Sequence, residues 1–243
     1  MNHIPEDLVR PRREIQRLLL EGELAKLLRL AGMLHGHYCP GLALGVKAVH
    51  AGFKRLEIRD NTGMEEIMAV AECNNCFVDG VQFVAGCSLG NNALVYEDLG
   101  KTAVTFYRRG ESRAVRLCVG SFDIDAGTER EKAEGDALFE KATKRREPLT
   151  DQESGRMKEL WIKRSFATVE APVEALFTIS MIDTPAFAFA PIVDSRQCDA
   201  CGENVMETRA VLRGGKPMCL RCAGEEYRVV IGKGIATAGA LNP

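Results

Sequence analysis

Met33-Leu34-His35-Gly36-His37-Tyr38-Cys39-Pro40-Gly41-Leu42-Ala43-Leu44-Gly45 gathers two of the four histidines, one of the nine cysteines and a Pro-Gly break into one short stretch. Upstream, Ile15, Leu18, Leu19, Leu24, Leu27, Leu28 and Leu30 recur at helical spacing against Arg, Glu and Lys. Residues 11–34 therefore read as an amphipathic helix with a break near Gly22. Downstream, Pro40-Gly41 opens a second helix, because the missing proline N–H costs nothing in a first turn. Its small residues, Gly41, Ala43, Gly45 and Ala48, predict that another backbone packs close against it. The stretch is a helix junction with metal-type ligands in the join.

Beyond Phe53 the pattern shortens. Leu56–Arg59 and Ile67–Ala71 read as strands on either side of the turn-prone Asp60-Asn61-Thr62-Gly63. Asp79–Ala85 reads as a helix punctuated by Gly86 and Gly90. Thr102–Arg108 and Ser112–Val119 form a predicted hairpin across Arg109-Gly110-Glu111. Residues 129–164 are a charge-dense helical pair broken near Pro148, to which no chemistry is assigned, and Phe177–Ile182 returns to strand. The expected fold is α+β: a mixed sheet packed with helices over residues 1–192, a small four-cysteine module over 193–231, and a mobile tail over 232–243.

A chain of 243 residues, 46% hydrophobic, can bury one large core beside a small module. A net charge of −2 gives no general attraction to nucleic acid or membrane. Apolar runs such as Ala186–Val193 fall far short of the roughly 18–20 residues that span a bilayer. Met1–Arg13 is polar and basic without an apolar core, so it does not read as a secretory signal, and the expected location is the cytosol. Cysteines there stay reduced, which turns attention from disulfides to metals and thiol chemistry. Cys118 reads as a small buried hydrophobe, and His3 and His50 as surface residues.

Cys198-x2-Cys201 and Cys219-x2-Cys222 form a closed set. Two such turns complete a tetrahedral four-sulfur shell, the pattern of a structural zinc. Thr208–Leu212, Arg213-Gly214-Gly215-Lys216 and Pro217-Met218 read as a hairpin carrying the second knuckle, and bound zinc would supply much of the folding free energy. In spacing, and in Cys201-Gly202-Glu203, the segment resembles the DksA/TraR zinc finger, without that family's long coiled coil. Arg196, Arg209, Arg213, Lys216 and Arg221 are offset by Asp199, Glu203, Glu207, Glu225 and Glu226, so the expected role is structural or a protein contact rather than binding of nucleic acid.

The remaining ligands lie nearer the N-terminus. In an extended loop alternate residues face one way, so His37 with Cys39, or His35 with His37, can address one ion. Cys76 precedes a predicted helix whose positive end favours a thiolate, and Cys87 follows that helix. Together they make a mixed nitrogen and sulfur site suited to zinc or another transition metal. Cys73 with Cys76 is open to a redox reading, and Asp79 and Gln82 read as capping or solvent-facing residues.

Four ordered blocks carry a resemblance: His35-Gly36-His37-Tyr38-Cys39-Pro40-Gly41-Leu42-Ala43-Leu44-Gly45, Cys76-Phe77-Val78-Asp79-Gly80-Val81-Gln82, Gly86-Cys87-Ser88-Leu89-Gly90-Asn91, and Asp98-Leu99-Gly100-Lys101. In these the chain resembles the FmdE-like family, named for a component of formylmethanofuran dehydrogenase. The resemblance implies an α+β domain that pairs as a homodimer and in many members precedes such a zinc finger. It also implies that His37, Cys39, Cys76 and Cys87 line a metal-binding or reactive pocket with Lys101 and Gln82 nearby. No segment resembles the pterin-binding catalytic component of that enzyme, and there is no ferredoxin-like cysteine run. The expected function is that of a metal-binding FmdE-like protein, an accessory or stand-alone relative of the formylmethanofuran dehydrogenase component. Two alternatives stand beside it: a metal-dependent enzyme using Cys76 and Lys101, and an oxidoreductase-associated thiol or electron-transfer accessory.

Overall fold

The computed structural model describes residues 4–120, 124 and 126–238. His3, and the part of the expected tail beyond Ala238, lie outside the described residues. The chain divides into two compact units, Met1–Ala186 and Phe187–Pro243, a division ahead of the expected boundary after residue 192.

In the first unit the leading amphipathic stretch is two helices after a short first turn, α1 (Glu6–Val9): α2 (Arg13–Glu21) and α3 (Leu24–His35). Gly22 separates them at φ 74°, a left-handed conformation that glycine adopts without steric cost. Pro40 then opens α4 (Pro40–Arg55), the most deeply buried helix of the unit. The expected strand at Leu56–Arg59 is not formed. Instead α4 ends in a Schellman arrangement, with Glu57 at φ 52° and the Ile58 N–H donating back to the Phe53 carbonyl at 2.9 Å. Ile58 is buried as the apolar residue that follows such a cap, and this burial produced the strand-like pattern.

The sheet is mixed and five-stranded, in the order β2 (Leu94–Tyr96), β1 (Ile67–Ala71), β3 (Ala103–Arg108), β4 (Arg113–Val119), β5 (Phe177–Asp183). Only β1 and β2 are parallel, joined through helix α5 (Cys76–Ala85); β3 and β4 are the expected hairpin. Phe106 and Leu117 lie on one sheet face, directly under Gly52 of α4. Register sets Cys118 on the opposite face with Arg116, so this thiol is half-buried rather than a core residue. The charge-dense pair is α6 (Glu129–Phe139), a π-helical turn (Glu140–Lys144) and α7 (Asp151–Glu170), followed by a last turn, α8 (Val173–Leu176). Thr128 with Glu131 and Thr150 with Glu153 form capping boxes that start the two long helices. Helix α7 packs back across α3 and α4. His50, expected at the surface, is half-buried with Nδ1 enclosed and, among the described residues, without a hydrogen-bond partner.

The second unit is built of two-stranded ribbons: β6 (Ser195–Gln197) with β7 (Asn204–Met206), β8 (Ala210–Arg213) with β9 (Lys216–Cys219), and β10 (Tyr227–Ile231) with β11 (Gly234–Ala238). The second pair is the expected knuckle hairpin. The third corrects the expected tail, because Gly234–Ala238 pairs along its whole length with β10. Among the described residues no helix is long and apolar enough to cross a membrane.

Candidate metal centre

Two helix starts and one helix end build the first site. His35 is the last residue of α3, and Gly36, at φ 83°, turns the chain back. Cys39 caps α4 from an extended conformation, its Sγ accepting the Leu42 N–H at 3.4 Å. Cys76 is the first residue of α5, whose cap is Asn75 through a 3.1 Å bond from the Phe77 N–H. The predicted close approach is made by α5: a Cβ on Gly45 would strike the Phe77 carbonyl, and one on Gly80 the Leu42 carbonyl. At Gly41 an added Cβ would lie 3.1 Å from that of Cys76. The absent side chains thus let the starts of α4 and α5 lie side by side and bring their cysteines together.

Among the described residues, two groups have ligand atoms all within 4.8 Å of one another, and the first is His35, His37, Cys39 and Cys76. His35 Nε2 lies 3.6 Å from Cys39 Sγ, which matches the roughly 3.6 Å edge of a zinc tetrahedron built from standard Zn–N and Zn–S bonds. The other ring nitrogen, Nδ1, is 2.7 Å from Asp79 Oδ2. A carboxylate only accepts, so the proton belongs on Nδ1 and the Nε2 lone pair faces the cysteines. Asp79 therefore does more than cap a helix; Gln82 holds its second oxygen at 3.4 Å. Residues 76, 79 and 82 share one face of α5.

The electrostatics favour the ligating forms of Cys76 and His37 but not of Cys39. The hydrogen bond from Cys39 draws the Cys76 thiol down to about 5 against opposing burial, with His35 and His37 adding to the shift. The same bond, with burial, pushes Cys39 up. Desolvation, then His35, holds the His37 imidazole below its ordinary value.

Other sequence candidates lie elsewhere. Cys87 is not in the group: it is fully buried, its Sγ donates to the Ile67 carbonyl at 3.4 Å, and burial pushes its thiol up to about 12. Its motif shapes a loop instead, where Asn91 Oδ1 accepts the N–H of Ser88 and Nδ2 donates to the Gly86 carbonyl, both at 2.8 Å. Cys73 is also outside the group, buried and directed at Asn75 Oδ1 at 3.5 Å. Lys101 is exposed, its backbone N–H donating to the Glu72 carbonyl at 3.0 Å and its carbonyl accepting the Ala103 N–H at 2.7 Å.

A cavity of about 350 Å³ opens beside the group. His37, Cys39 and Cys76 form one wall. Phe139 of α6 and Trp161 and Arg164 of α7 form the other, with Asp136 beside them. The helical pair to which the sequence assigned no chemistry thus supplies four of the eleven lining residues. Rings run continuously from the ligands into it: His35 to His37 at 4.3 Å, His37 to Trp161 at 5.8 Å, Trp161 to Phe139 at 5.6 Å. The one available signal was Trp161, the chain's single tryptophan, set in a charged helix.

The second group is Cys198, Cys201, Cys219 and Cys222. The N–H of Cys219 points at Cys198 Sγ at 3.3 Å, and that of Cys222 at Cys219 Sγ at 3.4 Å. Backbone N–H groups of Cys201 and Cys219 pull Cys198 down to about 6. Three basic residues of this unit are paired with acids: Arg196 with Glu207 at 2.8 Å, Lys216 with Asp199 at 3.0 Å, and Arg213 with Glu225.

Residues 34–178 match the model of the FmdE family, described as molybdenum formylmethanofuran dehydrogenase operon, and residues 191–228 match the prokaryotic DksA/TraR C4-type zinc finger. A probable S-adenosyl-L-methionine-binding protein of Archaeoglobus fulgidus is 38% identical over 218 residues, which cover 88% of this chain and 57% of that protein. The chain thus spans little more than half the length of this relative. A solved structure, a tungsten formylmethanofuran dehydrogenase FmdE-like protein from Syntrophus aciditrophicus, aligns with a TM-score of 0.48 at 18% identity, covering 83% of this chain and 92% of that one.

Proposed function

The chain belongs to the FmdE family, and on that premise we propose that His35, His37, Cys39 and Cys76 hold a transition metal beside a small-molecule cavity, while the four-cysteine finger holds a structural zinc. One observation carries the reading: four donors lie within 4.8 Å, one of them an imidazole oriented by Asp79. Two sulfurs and two nitrogens are a borderline-soft donor set, suited to zinc or a neighbouring transition metal. When bound, such a metal supplies Lewis-acid character at the cavity wall. The chain's own residues would do the rest: Asp79 fixes the His35 tautomer, the hydrogen bond from Cys39 favours Cys76 as a thiolate, and Trp161 with Phe139 sets an aromatic wall beside His37.

On this reading the protein is an accessory or stand-alone relative of the FmdE component of formylmethanofuran dehydrogenase. It acts in the cytosol as a homodimer, with the finger free to contact a protein partner. The cavity favours a second reading, a metal-dependent enzyme, in which Cys76 rather than Lys101 is the reactive side chain, since Lys101 does not line the cavity. A thiol-cycling role has less support, because Cys73 and Cys87 each sit in a separate buried setting.

Elemental analysis of the purified full chain tests the proposal. About two metals per chain are expected, falling to about one in Cys39→Ala/Cys76→Ala. A folded wild-type protein carrying only the finger metal would overturn the first site.

A further inference from the structure

The wall contributed by α6 and α7 has a chemistry of its own. Resting on the metal reading above, we infer that the cavity takes a small organic carboxylate with a flat apolar body, its carboxylate on Arg164 and its ring against Trp161. Three observations converge on this class.

The first is size and shape. A volume of about 350 Å³ is at the low end for small-molecule sites, the scale of a single-ring compound. Trp161 stands between His37 and Phe139, tilted 35° from one and 51° from the other. Such tilted ring packing accepts a further flat ring.

The second is charge. Among the described residues lining the cavity, Arg164 is the one permanently cationic side chain. Its NH1 meets Asp136 Oδ1 at 3.0 Å, and the two side chains are 22% and 61% exposed. The carboxylate partner is therefore wet while the guanidinium is sheltered. A guanidinium carries five N–H donors in a planar fork, so one contact leaves most of them for a second carboxylate. Partial shelter strengthens that attraction relative to open water.

The third is the direction of the local field. The starts of α4 and α5 meet at Cys39 and Cys76 on the opposite wall. On the metal reading a divalent ion balances the two thiolates there, and the positive helix ends then add to Arg164 in favouring an anion over a cation of the same shape. Asn75 and Thr102, bonded to each other at 3.2 Å, put neutral polar groups in the lining.

Calorimetric titration of the metal-loaded full chain with benzoate, benzamide and acetate tests this, with tryptophan emission as a second readout. Benzoate should bind roughly tenfold or more tightly than benzamide, which lacks the charge, and than acetate, which lacks the ring. Arg164→Gln should bring benzoate down to the level of benzamide while leaving the metal content unchanged, and Arg164→Lys should fall between, since it keeps charge but loses the fork. Benzoate binding no tighter than benzamide in the wild type, a comparison that needs no variant, would overturn the inference, as would an undiminished Arg164→Gln. Elemental analysis of the same samples separates the two proposals. Metal at the first site without a benzoate preference sinks the cavity inference alone, and a preference in protein lacking that metal sinks the metal reading alone.

Discussion

His35 Nδ1 lies 2.7 Å from Asp79 Oδ2, a bond that joins the end of one helix to the first turn of another and aims the opposite ring nitrogen at Cys39. Metal-binding histidines are commonly held in this way, and loss of the carboxylate typically costs roughly 10- to 100-fold in metal affinity. Asp79→Asn keeps the shape but permits the wrong tautomer. It should therefore weaken first-site binding by that order in a chelator competition, with the finger metal and the thermal transition little changed. Equal affinity in Asp79→Asn and wild type would remove Asp79 from the site.

Gly45 and Gly80 make a separable prediction about the scaffold. Each lacks a side chain where a Cβ would collide with backbone of the other helix, and backbone cannot swing aside as a flexible side chain can. Gly45→Ala and Gly80→Ala should each destabilise the protein by about 1–3 kcal/mol or more in urea unfolding. Gly41→Ala is tight only against the Cys76 Cβ at 3.1 Å, with the Phe77 nitrogen at 3.6 Å and Cys39 Sγ at 3.9 Å in ordinary contact, so its effect should fall on metal content rather than stability. Wild-type stability in both helix-crossing variants would mean that the close packing of α4 on α5 is not what joins the two cysteines.

Legibility in the sequence followed how local each interaction is. His35, His37 and Cys39 lie within one loop, and the finger cysteines come as two close pairs, so spacing alone grouped them. The Asp79 contact crosses 44 residues, and no periodicity reports which face of α5 meets α3. Trp161 reaches the cavity only because α7 folds back over α3 and α4, a tertiary choice its charged pattern does not encode. Cys87 shows the converse. A cysteine inside a recognisable motif reads as a ligand, although a thiol serves equally as a small buried hydrophobe that donates weakly to a carbonyl. Ile58 misled in the same way, since burial after a helix cap and burial in a strand leave the same apolar mark.

The finger should depend on its metal. Ribbons of three to five residues hold little apolar surface, and zinc in such modules contributes on the order of 10–16 kcal/mol of apparent binding free energy at neutral pH. Cys219→Ser should lose about one metal per chain and the dispersed amide signals of residues 195–238, while those of the first unit persist. Retention of those signals after the metal is stripped would show that the ribbons fold without it.

His50 supplies the pH prediction. Desolvation, then Lys47 and Lys54, holds its imidazole below the ordinary value, and among the described residues its enclosed Nδ1 has no partner to reward protonation. The unfolded chain, titrating near 6.5, therefore binds the proton more readily than the folded one. Stability from this residue should rise with pH across the window between the lowered folded value and about 6.5, and the penalty should be complete below that window. His50→Leu removes the titration. Its unfolding free energy relative to wild type should improve as the solution is taken from pH 8 to pH 5, a difference in which contributions common to both proteins cancel. A pH-independent difference would mean that His50 is solvated in the folded protein and carries no linkage.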